Sequence, residues 1–235
     1  MDRLGSTLEE IAREKAAIAK AGSPIVIGAL APTSVREAAE TVAHDAGARV
    51  VFVDDRDRAA VASIPIGLAG DHQRENAAVA WRIAAELGIA EEARRAGLAS
   101  VRWPGRFERV AGGYILDGAH NPDGARALVN ALRDTKVGAI IFGALADKQW
   151  PEMLETLRAV DCPRFFVAPH GRAAVDPAEL ARRFGGTPCA SIDEALAAAR
   201  RAAGDVDVVV CGSLYLVGEA RAKLLGLPLD PPVAL

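Results

Sequence analysis

The sequence predicts an α/β chain in two parts, the second built on a mainly parallel sheet. Three observations carry that expectation. From Tyr114 onward, short apolar runs alternate with helix-like segments, the pattern of a sheet covered by helices on both faces. Two of those segments open on a capping residue followed by proline, at Asn121-Pro122 and Asp176-Pro177, and such pairs suit a helix start. Residues 101–105, with Pro104 and Gly105, read as a linker between the parts.

Thr7 and Glu10 are spaced as a capping box and predict a helix over 7–20. Leu8, Ile11 and Ile18 would share one face of it, with Lys15 on the same stripe. Gly22 and Pro24 end the helix, and 25–27 reads as a buried strand. Ser34 and Glu37 suggest a second capping box, opening a helix with Val35, Ala38, Ala39, Val42 and Ala46 that stops at Gly47. Residues 49–53 form the next expected strand and 54–58 a solvated charged loop. The stretch 61–69, with Pro65 and Gly67, fits no element clearly. Asp71-His72-Gln73 then opens a helix to Leu87, with Ala77, Ala80, Ala84 and Leu87 facing inward and Asn76 at the border. A short helix over 91–99 precedes the linker.

Beyond it, strands are expected at 114–117, 139–142, 165–168, 187–190 and 206–211. Helices are expected at 122–134, 151–160, 177–184, 192–203 and 214–225, with a frayed tail from Pro228 to Leu235. The stretch from Tyr114 to Pro122 carries the chemistry. Asp117-Gly118 ends an apolar strand, so Asp117, His120 and Asn121 stand at its carboxyl end, where open α/β sheets bind ligands. A helix N-terminus favours an anion there, and Arg106, arriving from a Pro-Gly turn, can bind phosphate bidentately. Together they suggest a nucleotide or a phosphorylated intermediate.

Composition narrows the classes. The net charge of −3 gives no reason to expect nucleic acid or an anionic membrane as partner. No apolar run approaches a bilayer-crossing length, and Met1 to Gly5 lacks the apolar core of a secretory leader. Cys162, Cys189 and Cys211 are odd in number, lack CxxC spacing and sit in or beside apolar runs. Buried reduced thiols are expected rather than zinc ligands, with a cytoplasmic location as the default.

Six stretches, in order, resemble the folylpolyglutamate synthase and dihydrofolate synthase family of the Mur ligase superfamily. They are Leu4-Gly5 with Glu14-Lys15-Ala16; His72-Gln73 with Asn76-Ala77; Pro104-Gly105-Arg106-Phe107; Asp117 to Pro122; Phe142-Gly143 with Leu145-Ala146-Asp147-Lys148; and Cys211 to Glu219. The resemblance implies that 1–105 is the C-terminal remnant of an ATP-binding central domain. It makes 106–235 a Rossmann-like glutamate ligase domain. It also implies the reaction: ATP phosphorylates a carboxylate of dihydropteroate or folate, and the amine of L-glutamate attacks the acyl phosphate, with ATP and Mg²⁺ required.

Residue roles follow from the same resemblance. Lys15 matches a lysine that the family carbamylates. A lysine in an apolar stripe has its charged form disfavoured, and the carbamate would offer Mg²⁺ an oxygen ligand. The plainer alternative is a snorkelling lysine. Asn76 matches the adenine contact, Arg106 the ATP-phosphate contact and Asp117 the ribose contact. His120 falls near the phosphorylated intermediate and the incoming glutamate, without being assigned as general base. Asp147, Lys148 and Ser213 match glutamate-holding positions. A helix-border amide, a surface arginine, a turn aspartate and a structural histidine are the competing readings of Asn76, Arg106, Asp117 and His120. His44 and His170 receive no role.

No GxxxxGK[ST] phosphate loop occurs in the 235 residues. The resemblance places that loop, and the residues completing the Mg²⁺ site, before Met1. The expectation is then little or no ligase activity from this polypeptide alone. It would be a ligase fragment, half of a split ligase completed by a separate phosphate-loop-bearing half, or a non-catalytic nucleotide- or glutamate-binding module. A nicotinamide-dependent dehydrogenase is not expected, since no GxGxxG follows a strand.

Overall fold

The computed structural model describes residues 7–28, 31–170 and 173–228. The Leu4-Gly5 match and the tail reading beyond residue 228 lie outside the described residues. The chain divides into two compact units, Met1–Gly67 with His72–Val101, and Leu68–Asp71 with Arg102–Leu235.

The first unit runs α1 (Leu8–Ala16), β1 (Pro24–Ile27), α2 (Thr33–Asp45), β2 (Arg49–Phe52), α3 (Asp55–Ala62), α4 (Asp71–Glu86) and α5 (Glu91–Ser100). The two strands pair in parallel, Ile25 opposite Val50. The Thr7–Glu10 capping box forms as expected. The stripe drawn through Lys15 does not. Helix α1 stops at Ala16 and turns Ala12 and Ala16 inward, while Leu8 and Ile18 are 61% and 75% exposed. A stripe reaching Ile18 needs another helical turn, and small residues at i and i+4 give α1 a narrower buried face. Lys15 is exposed, which removes the desolvation argument for a neutral amine.

Three further readings are corrected. The Ser34–Glu37 capping box is absent: Pro32 occupies the N-cap position of α2, and the Ser34 hydroxyl instead donates to Glu9 on α1. The charged loop at 54–58 is the start of α3, where Asp54 and Asp57 form a reciprocal capping box. Aspartate at the third helical position does here what glutamate or glutamine ordinarily does. Val61 and Ile64 then join a core with Ala77, Ala78 and Trp81, so part of 61–69 is ordered inward packing. Helix α4 buries Gln73, Ala77, Ala78 and Trp81, not Ala80 and Leu87. The large Trp81 ring sets the rotation, covered by the Arg94 guanidinium at 4.0 Å.

The second unit runs β3 (Glu108–Val110), β4 (Tyr114–Leu116), α6 (Pro122–Ala131), β5 (Val137–Phe142), α7 (Trp150–Leu157), β6 (Arg164–Phe166), α8 (Pro177–Phe184), β7 (Thr187–Pro188), α9 (Ile192–Ala203), β8 (Asp207–Cys211) and α10 (Leu214–Leu225). Its strand order is β3-β4-β8-β5-β6-β7. Every pairing is parallel except β3 with β4. Edge strand β3 was not anticipated; its three residues are too short a run for a period-2 signal.

Alternate residues of each strand enter opposite cores, as the two-residue strand period requires. Tyr114, Leu116, Val208 and Val210 pack with α9 and α10. Ile115, Val209, Ile140 and Phe142 pack with α6, α7 and α8. Both proline-opened helices form, capped by the side chains of Asn121 and Asp176. All three cysteines are free thiols, with Cys189 and Cys211 buried. Among the described residues no helix is long and apolar enough to cross a membrane.

Candidate functional site at the carboxyl edge of the second sheet

Strands β4, β8 and β5 are parallel neighbours, so the residues that follow them share one edge. Helix α6 leaves β4 toward one face and α10 leaves β8 toward the other. Adjacent strands whose connections part in this way open a crevice beyond their carboxyl ends, where α/β sheets bind ligands. Asp117 to Asn121 follow β4, Gly212-Ser213 follow β8, and Gly143 to Gln149 follow β5. The Gly212 N–H donates to the Ala119 carbonyl at 2.9 Å and joins two of these turns. Gly143 is required by close approach: a Cβ there would lie 2.0 Å from the Val167 carbonyl oxygen.

The turn carrying Arg106 is built against the same edge. The Gly105 carbonyl accepts from the Gly118 N–H at 2.7 Å, and the Arg106 N–H returns to the Trp103 carbonyl at 3.2 Å. Gly105 has φ +69°, and a Cβ on it would meet the Val217 side chain at 2.9 Å. Phe107 has φ +50°, the one left-handed residue other than glycine among those described. A bulky residue held there signals strain that its surroundings must overcome. Asp117 supplies part of that restraint. Its Oδ2 accepts from the Phe107 N–H at 2.9 Å, and its Oδ1 accepts from the Ala119 N–H at 2.9 Å. The Arg106 guanidinium itself is exposed and has no hydrogen-bond or ion-pair partner among the described residues.

His120 is half-buried, with Nδ1 2.8 Å from the Gly118 carbonyl oxygen. A carbonyl only accepts, so Nδ1 carries the proton and Nε2 is the nitrogen left for a ligand. Ser213 is 3% exposed and caps α10, its Oγ accepting from the Tyr215 N–H at 3.2 Å. Asp147 and Lys148 form an exposed-rim pair at 3.3 Å in the loop after β5. Six of the sequence-derived candidates thus fall at one sheet edge: Arg106, Asp117, His120, Asp147, Lys148 and Ser213. Lys15 and Asn76 belong to the first unit. Asn76 is exposed, its amide donating to Gln73 Oε1 at 3.1 Å.

The two charged groups that sequence reasoning missed are Glu108 and Arg221. Arg221 Nε lies 3.0 Å from each Glu108 carboxylate oxygen, and Glu108 Oε2 also accepts from the Gly105 N–H at 2.8 Å. Partners 113 residues apart leave no local signal.

An exposed arginine, a helix N-terminus and a fixed imidazole suit an anionic ligand. Mg²⁺ fits less well. Among the described residues no three His, Cys, Asp or Glu side chains converge as metal ligands. Lys15 offers no oxygen unless carbamylated.

Residues 105–214 match the family described as Mur ligase, glutamate ligase domain. The chain is 33% identical to the folylpolyglutamate synthase of Lacticaseibacillus casei over 95% of its own length and 59% of the relative's. It is 29% identical to the dihydrofolate synthase/folylpolyglutamate synthase of Bacillus subtilis, over 95% of this chain and 60% of that one. The solved structure of E. coli FolC in complex with DHPP and ADP superimposes with a TM-score of 0.80 at 27% identity, covering 96% of this chain and 58% of that one. The chain therefore spans about three fifths of the length of these curated relatives. Residues 105–214 carry a Mur ligase glutamate ligase domain, and nearly the whole chain is similar to part of the folylpolyglutamate and dihydrofolate synthases.

Proposed function

We propose that this chain forms the glutamate-binding part, and some of the ATP-binding part, of an ATP-dependent ligase. That ligase joins L-glutamate to dihydropteroate or to a folate. ATP transfers its terminal phosphoryl group to the substrate carboxylate, and the glutamate α-amine displaces phosphate from the acyl phosphate to form the amide. ADP, inorganic phosphate and a proton are released. The observation that carries the proposal is the gathering of Arg106, His120 and the Ser213-capped α10 N-terminus at one carboxyl edge.

Each group has a defined task in this reading. Arg106 steadies the phosphoryl oxygens as charge shifts onto them. His120, with Nδ1 fixed by Gly118, presents Nε2 toward the intermediate and the glutamate. Asp147, Lys148 and Ser213 hold the amino acid's charged groups, and Asp117 bounds the ribose. Asn76 in the first unit contacts the adenine. Lys15 would offer Mg²⁺ an oxygen only as its carbamate. Residues 1–105 form the ATP-domain portion and 106–235 the glutamate ligase domain.

The 235 residues contain no phosphate-loop motif, so in this reading the loop is supplied from elsewhere. The test is ADP formation with dihydropteroate or tetrahydrofolate plus L-glutamate. It is measured for the chain alone and for the chain mixed with the N-terminal half of a full-length relative. Activity only in the mixture supports a competent half-site. Silence in both, from folded protein that still binds ADP or glutamate, points to a binding module instead.

A further inference from the structure

We propose that Glu108 and Arg221 are positioning residues for Arg106, a role that rests on reading Arg106 as the phosphate-facing group. The turn at 103–107 carries an exposed guanidinium and a left-handed Phe107, features that free chain would not hold in one conformation. Three contacts oppose its relaxation: Asp117 takes the Phe107 N–H, Gly118 takes the Gly105 carbonyl, and Glu108 takes the Gly105 N–H. The first two come from the ligand-binding turn itself. The third comes from β3 and is backed from α10, where Arg221 Nε reaches both Glu108 oxygens at 3.0 Å.

The chemistry of the pair suits this task. Glu108 and Arg221 are 20% and 28% exposed at the side chain, so their attraction is less screened than at the surface. A carboxylate that accepts from a backbone N–H and a guanidinium together has its rotamer defined from two sides. Helix α10 also bears Ser213 at its N-terminus and Val217 against Gly105. The pair therefore ties the arginine turn to the helix that starts at the site. Glu108 acts through Gly105 on Arg106, and Arg221 acts through Glu108.

Limited trypsin digestion of the native chain reads this directly, because cleavage after Arg106 requires local opening of the turn. Cleavage after Arg109, three residues on and paired with Asp207, serves as the internal control. Glu108→Ala is expected to raise the Arg106 cleavage rate tenfold or more, and Arg221→Met severalfold, each with a smaller change at Arg109. The milder Glu108→Gln, which keeps an acceptor for Gly105, is expected between wild type and Glu108→Ala. Unchanged Arg106 cleavage, or equal acceleration at both sites, would overturn the proposal.

In the reconstituted ligase, Arg106→Ala and Glu108→Gln should both lower kcat/KM for ATP, and the double variant should match Arg106→Ala alone. An additive double variant overturns the positioning role. If Arg106→Ala leaves KM and kcat unchanged, the phosphate reading of Arg106 fails, while the proteolysis still decides whether the pair holds the turn.

Discussion

The carboxylate of Asp117 is bonded to the backbone of Phe107, ten residues earlier, at 2.9 Å. It thereby joins the turn that carries Arg106 to the turn that carries His120. Asp117→Ala would leave the Phe107 and Ala119 N–H groups without their acceptor, at a cost of about 1–3 kcal/mol. Asp117→Asn keeps one acceptor oxygen and should lose about half as much. Equilibrium urea unfolding measures both, and a loss under about 0.5 kcal/mol for Asp117→Ala would contradict the bridging role.

Gly143 and Gly97 should respond oppositely to alanine. A Cβ at Gly143 lies 2.0 Å from a backbone oxygen, whereas nothing stands within 4 Å of one at Gly97 in α5. Gly143→Ala must displace the segment after β6 and should destabilise by about 3 kcal/mol or more. Gly97→Ala should stabilise by about 0.5–1 kcal/mol through helix propensity and reduced unfolded-state entropy. Thermal unfolding of the two variants checks the contrast.

Asp57 is the most deeply buried carboxylate of the first unit among the described residues, its side chain 7% exposed and 2.9 Å from Arg82. Arg82→Met strands that charge and should cost about 3 kcal/mol. Arg82→Lys should restore part of the loss by keeping the charge. If Arg82→Met unfolds at the same urea concentration as wild type, the pair carries no stability.

Burial pushes the Cys162 thiol from an ordinary 9.0 up to about 11, and burial likewise raises Cys189 and Cys211. The folded chain keeps a proton that the unfolded chain gives up. The associated stability is therefore whole below about pH 9 and is lost as the pH rises toward about 11. Wild type should lose stability more steeply than Cys162→Ala across that window. Native protein at neutral pH should also alkylate slowly at all three thiols, with fast reaction only after denaturation.

Much of this fold was readable because its signals are local. Asn121-Pro122 and Asp176-Pro177 mark helix starts from adjacent residues, and both helices form there. The apolar runs near 139–142 and 206–211 became central parallel strands. Parallel order then puts the residues after β4, β5 and β8 at one edge, so much of the candidate site follows from topology. What depended on where an element stops, or on distant partners, was not readable. Lys15 left the apolar stripe because α1 ends at Ala16. Asp54 and Asp57 read as solvated charge until their mutual capping and the Arg82 partner were visible. Glu108 and Arg221 meet only through the tertiary fold, as do Asp117 and Phe107.

In the proposed reading, glutamate meets the activated carboxylate at the carboxyl edge of the second sheet. Glutamate-dependent ADP formation by the reconstituted ligase, with wild-type chain and with His120→Ala, tests it most directly. A loss of about a hundredfold or more is expected for His120→Ala, with the variant folded and its thermal midpoint near that of wild type. Equal rates for the two chains would contradict it.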